Sequence, residues 1–308
     1  MKKKSLYLTM AGMAVLLMGV LTGCMTQYTY NNADKYMVGD RVVTETIDTI
    51  DINYLSGNVD ISTSAKNEIS ISETSNRELG DELKVHTWVD GSTLYVKYCA
   101  SGNVLNFKDI DKKLSIVIPS SLKLAKFKSE LSSAEFRTTS LKADAVDIEA
   151  SSGSIDIECE ARDINLDVSS GKITLKQRGN SDSINMDASS GSITADIEKA
   201  SQMSVEVSSG DSSIKADSID DMQYGSSSGD TSISLGVAPK NSSFEASSGR
   251  IEILLPENSD LSVNVDTSSG EFNYELPFEK NGDTYIAGNG TNKMNIDTSS
   301  GNVSILKR

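Results

Sequence analysis

Residues 164–175 read INLDVSSGKITL and residues 184–195 read INMDASSGSITA, two copies of one pattern centred on Ser-Ser-Gly. The tripeptide recurs with its glycine at Gly153, Gly171, Gly191, Gly210, Gly229, Gly249, Gly270 and Gly301, at separations of 18, 20, 19, 19, 20, 21 and 31 residues. A fixed period of this size is the mark of a repeat architecture. The flanks repeat in phase. Seven and five residues before the glycine stand Ile164 and Leu166, Ile184 and Met186, Met203 and Val205, or Met294 and Ile296; two and four after it stand Ile155 and Ile157, Ile173 and Leu175, or Val303 and Ile305. Alternation of period two predicts short strands with one buried face. Three residues before the glycine the slot is small or apolar, as at Ala150, Val168, Ala188 and Val207. From there to the next apolar slot is an odd number of residues, so a straight strand would send the two side chains to opposite faces. The chain must bend at Ser-Ser-Gly. A second parity change, between Ile157 and Ile164, gives two corners per repeat. One repeat cannot bury its few inward side chains alone, but stacking at ~4.8 Å makes a continuous core and satisfies the backbone from coil to coil. The pattern predicts an all-β, single-stranded β-solenoid of about 19–20 residues per coil. The rival is a meander of hairpins with Ser-Ser-Gly at each tip.

Two coils depart from the pattern. After Gly210 and Gly229 the apolar pairs move to Ile214 and Ala216 and to Ile233 and Leu235, as if the corner swells by two residues. The 31-residue gap before Gly301 holds Pro277, Phe278 and Gly288-Asn289-Gly290, which predicts a hairpin insertion near the C-terminal end. The N-terminal third carries the repeat in degraded form around Ser56-Gly57 and Ser132-Ser133-Ala134, together with a hairpin turn at Asp90-Gly91 and a strand stopped by Pro119. Solenoids need an atypical end to block edge-to-edge association. The expected organisation is therefore a leader over 1–23, a tether over 24–41, an N-terminal β cap over 42–130 and the Ser-Ser-Gly solenoid over 131–308.

The leader follows from Lys2, Lys3 and Lys4, a short apolar run from Leu6 to Val20, and Leu21-Thr22-Gly23-Cys24. The run is too short to span a bilayer as a helix. The last four residues resemble the lipobox of bacterial lipoproteins. That resemblance implies cleavage between Gly23 and Cys24 and acyl chains on Cys24, which would anchor the chain to a cell or outer membrane on its extracytoplasmic side. More broadly, Ser-Gly-Asn-Val-Asp-Ile at 56–61, Val-Ile-Pro at 117–119 and the repeated Ser-Ser-Gly-x-Ile-x-Ile resemble the bacterial β-strand-repeat family of unknown function whose members are called "putative adhesins". The resemblance covers roughly residues 42–308. It implies a β-solenoid and an envelope location, and it brings no catalytic residues.

Composition narrows the chemistry. The chain has 308 residues with a formal charge of -15, which becomes -18 once residues 1–23 and their three lysines are removed. Such acidity argues against nucleic acid as a partner. His86 is the sole histidine, so most His-dependent catalysis is excluded. The outward positions Asp156, Glu158, Asp167, Lys172, Thr174, Asp187, Thr194 and Glu206 read as a solvated face with no cluster of catalytic type. His86 and Trp88, two apart on one strand, are a candidate binding spot. Asp211 and Asp230, stacked one coil apart, are a candidate weak cation corner. No metal-spaced Cys/His set or phosphate loop occurs, and no cofactor is expected. Cys159 continues the inward run Ile155, Ile157 and reads as a core thiol; whether it bridges Cys99 is left open by the sequence. The expected function is a non-enzymatic, lipid-anchored envelope protein presenting an acidic surface to a glycan, a surface protein or a cationic peptide. An envelope-stress sensor or scaffold is the alternative, with a polysaccharide-active β-helix enzyme behind it.

Overall fold

The computed structural model describes residues 27–104 and 110–308; Gly23, Cys24 and the rest of the expected leader lie outside them. The described chain is all-β apart from one 3-10 turn at Ala33–Lys35. Five strands open it: β1 (Gln27–Tyr28), β2 (Met37–Val38), β3 (Arg41–Val43), β4 (Thr49–Ser64) and β5 (Ile69–Ser75). Then come β6 (His86–Asp90), β7 (Thr93–Lys97), β8 (Asn103–Val104) and β9 (Lys112–Pro119). The solenoid body is made by β10 (Leu124–Ser152), β11 (Ile155–Ser209), β12 (Ser212–Ser228), β13 (Thr231–Leu235) and β14 (Asn241–Leu255). It closes with β15 (Leu261–Thr267), β16 (Phe272–Tyr274), β17 (Glu279–Asn281), β18 (Thr284–Ala287) and β19 (Asn292–Lys307).

Successive coils pair in parallel and in register, Phe136 with Ile155, Ile148 with Leu166, Val205 with Tyr224 and Tyr224 with Phe244. Parallel pairing rules out the hairpin meander. The inward slots are buried as the alternation requires, including Ile155, Ile164, Ile173, Ile184, Ile193 and Val205. Cys159 is a buried free thiol, and Cys99 is buried as well.

The glycine of each corner has a reason beyond its backbone angles. A Cβ on Gly171, Gly191, Gly210, Gly229 or Gly249 would fall well inside 3.0 Å of the carbonyl oxygen of the preceding coil's glycine. The corner stacks backbone on backbone, and only hydrogen leaves room.

Strand order at the C-terminal end departs from chain order. β19 lies between β14 and β15, pairing Phe244 with Ile296 on one side and Ile296 with Val265 on the other. The coil that carries Gly301 thus precedes the coil that carries Gly270 in space. The residues of the 31-residue gap return the chain inward: β17 and β18 form an antiparallel hairpin about Gly282, in which β18 lies antiparallel along β15 and β17 is the end strand. The expected hairpin insertion is present, as an end cap rather than a side bulge.

The swollen corners do not exist. Ser212 is in register with Ile193 and Thr231 with Ile251, so each occupies the inward slot next to the bend. Both are buried, and Tyr224 reaches across the core to bond the Ser212 hydroxyl at 3.1 Å and the Thr231 hydroxyl. The hydroxyls escaped an apolar count because the Tyr224 phenol satisfies both of them inside the core.

At the other end, β4 pairs with β10 on one side and with β7 and β9 on the other. The β6–β7 hairpin turns at Gly91, as Asp90-Gly91 predicts. β6 then carries β2, while β9 carries β5 and β5 carries β3, all antiparallel. Residues from Gln27 onward, expected as a tether, lie against this cap: β1 pairs with β8, the Tyr28 hydroxyl bonds Asn53 Oδ1 at 2.8 Å, and Tyr30 bonds the Cys99 carbonyl at 3.1 Å. Tyrosines supply apolar area without periodicity, which is why the segment reads as tether by pattern alone.

Inside the cap, Lys112 is buried. Its Nζ meets Glu73 at 2.8 Å and donates to the Leu83 and Tyr98 carbonyls at 2.6 Å each, beneath the Tyr98 ring. Glu73 also accepts from the Tyr54 hydroxyl and the Val85 amide, both at 2.9 Å. Burial lowers the Lys112 pKa while Glu73 pulls it back up. All three Nζ protons of Lys112 and both carboxylate oxygens of Glu73 are engaged, the condition under which a buried ion pair is tolerated.

Candidate functional site

Four residues before each corner glycine the side chain points outward, and the stacking lines these positions up. Glu149 is in register with Asp167, Glu206 with Gly225, Gly225 with Glu245, Glu245 with Asp297 and Asp297 with Asp266. Within β11 the contacts of Gly171, Gly191 and Gly210 carry Asp167 over Asp187 and Asp187 over Glu206. The result is a single file of carboxylates at the ~4.8 Å strand spacing, interrupted once, at Gly225, over which the Glu206 carboxylate lies. Burial against the sheet raises the pKa of Asp167, with help from Asp187 and Glu149; it raises Asp187 and Glu206 likewise, and Asp187 and Glu245 add to the effect on Glu206.

None of Glu149, Asp167, Asp187, Glu206, Glu245, Asp297 or Asp266 forms an ion pair among the described residues. Carboxylates on the other surfaces of the rod do: Asp156 with Arg137, Glu160 with Lys142, Asp182 with Arg162, and Glu158 and Asp196 with Arg178. Beside the file, two residues nearer the N-terminus, runs a row of amides and hydroxyls that includes Asn165, Asn185, Ser204, Gln223, Ser243, Asn295 and Asn264. At the C-terminal end both rows enter a groove of ≈ 600 Å³, where Asn264, Asp266, Asn295 and Asp297 face Lys280, Asp283 and Tyr285 of the hairpin.

Residues 47–306 match the model of a family described as Toastrack DUF4097. The chain belongs to that family. A "putative adhesin" from Parabacteroides merdae shares the fold, with 11% identity, 92% of this chain and 100% of that one covered, and a TM-score of 0.52. Another from Parabacteroides distasonis gives 12% identity, 88% and 97% coverage, and 0.53. No curated protein matches the sequence.

In this Toastrack chain the sequence-predicted pair does not form one accessible spot. His86 is buried, and its Nδ1 donates to the Lys84 carbonyl at 2.9 Å, whereas Trp88 is half-buried between the rings of Tyr36 and Tyr95, 5.6 Å from each. Asp211 and Asp230 serve the backbone: Asp211 Oδ1 accepts the Asp230 amide at 2.9 Å, and Asp230 Oδ1 accepts the Arg250 amide at 3.0 Å. No group of three His, Cys, Asp or Glu suited to a metal occurs among the described residues. Asp167, Asp187 and Glu206, read from the sequence as solvated singles, are instead neighbours in one file. The signal was present in the sequence as an acidic residue four before every Ser-Ser-Gly glycine except Gly229, where Gly225 stands.

Proposed function

We propose that this Toastrack chain is a non-enzymatic envelope protein, lipid-anchored through Cys24, that captures extended cationic partners along one face of its rod. The unpaired file of carboxylates supports this reading. Like charges at strand spacing repel one another, and burial against the sheet, with a smaller contribution from the neighbouring acids, raises the pKa of Asp167 and Glu206. A chain of positive charges laid along the file relieves that repulsion at every coil, and it is drawn in by the field of the whole body. The neighbouring amides and hydroxyls offer hydrogen bonds to its backbone. Lysine-rich peptide of extended form fits this surface.

Titration of oligolysine against the chain from Cys24 onward tests the reading. Binding should weaken steeply from low to physiological salt and fall at least tenfold in Asp167→Asn/Asp187→Asn/Glu206→Gln, while Asp156→Asn/Asp196→Asn leaves it nearly unchanged. Equal losses in the two variants, or binding indifferent to salt, would remove the file as the site.

A further inference from the structure

We propose that the N-terminal tip of the rod, strands β2 and β3, is a bilayer-contacting surface that stands the molecule end-on upon a lipid membrane. The inference rests on the anchoring of Cys24 and goes beyond it, since an acyl anchor alone leaves the rod free to tumble.

Topology makes β2 and β3 the tip. Among the described residues β2 pairs only with β6 and β3 only with β5, so each is the last strand of its stack. Such end strands are ordinarily blunted by charge. Here they expose Met37 (56%), Val38 (44%) and Val42 (54%), three of the five large apolar side chains exposed among the described residues. Beside them Tyr30, Tyr36, Trp88 and Tyr95 stand ring to ring at 4.8, 5.6 and 5.6 Å, all half-buried, with Lys35 Nζ 4.8 Å above Trp88. Apolar tips flanked by amphipathic rings and a lysine suit the boundary between acyl chains and headgroups.

The leash selects the occupant. Cys24 stands three residues before Gln27, where β1 is already tied to the cap, and three residues reach at most ~10 Å. The stack from Gly57 to Gly270 is nine strand spacings, ~43 Å, so the leash holds the cap at the membrane and the far end reaches it only if the rod lies flat. Lys35 and Arg41 are balanced by Asp34, Asp40 and Glu45. Contact is therefore apolar and needs no anionic lipid.

Trp88 is the sole tryptophan and serves as the reporter. The chain from Cys24 onward, which holds every described residue, is coupled through the Cys24 thiol to maleimide lipid in phosphatidylcholine vesicles; Cys99 and Cys159 are buried and do not compete. With nitroxide on the lipid headgroups, Trp88 emission should fall by half or more. It should recover in Met37→Asp/Val42→Asp, which stays coupled and alters only exposed side chains. In Trp88→Phe/Tyr274→Trp, with the reporter at the opposite end, emission should not change. An unquenched Trp88 in the coupled wild type, or quenching at both ends, overturns the end-on tip. Fatty-acid labelling of Cys24 in cells decides the anchor separately: labelling without quenching removes the tip and keeps the anchor, and quenching without labelling does the reverse.

Discussion

Tyr224, Ser212 and Thr231 show how a single side chain settles a position that pattern misreads. Two hydroxyls occupy slots filled by isoleucine in neighbouring coils, and both depend on the phenol of Tyr224 for their bonds. Removing that phenol leaves buried polar atoms unsatisfied, at about 1–3 kcal/mol, whereas removing all three together costs little. Tyr224→Phe should therefore lower stability by about that amount, and Tyr224→Phe/Ser212→Ala/Thr231→Val should recover most of it in denaturant titrations. A triple variant worse than the single one would mean that the hydroxyls have other partners.

At the scale of elements, β19 is the keystone of the C-terminal end. It fills the gap between β14 and β15, so the last residues of the chain complete the core one coil before the last coil of the stack. In an ordinary stack, loss of the last coil leaves its neighbours paired. Truncation after Thr291 should instead release β15, β16 and the β17–β18 hairpin together and bare the edge of β14. Hydrogen exchange should show protection lost from residues 261 to 287 as one unit while β10 and β11 keep theirs, and the exposed edge should promote association. Retained protection over β15 would show that the hairpin end folds without its inner strand.

For the molecule as a whole, the file of carboxylates makes stability depend on pH with a definite sign. Asp167, Asp187 and Glu206 bind protons more tightly in the fold than in the unfolded chain, because burial and neighbouring acids disfavour their ionised forms. Across the window from the ordinary carboxylate range, near ~4, up to the raised folded values, the native state holds more protons. These groups therefore subtract from stability as pH rises through that window. Asp187→Asn should melt higher than wild type at pH 7, and the difference should vanish at pH values below the ordinary carboxylate range. A variant less stable at pH 7 would mean that Asp187 has an attractive partner on this face.

Period and parity were enough to determine the coil, because stacked coils must repeat their inward slots every turn and those slots are filled mainly by apolar side chains. Ile164, Leu166, Ile173 and Leu175 could be placed before any coordinates. Three things waited for the tertiary structure. The spatial order of the Gly270 and Gly301 coils is invisible in sequence, since both fit every slot and only the return of the β17–β18 hairpin decides which lies inside. The buried Lys112 and Glu73 are 39 residues apart and carry no local sign of their pairing. The carboxylate file was written in every repeat but the one with Gly225, and it became a surface only on stacking, because charges 18 to 20 residues apart along the chain come to lie one strand spacing apart in the fold.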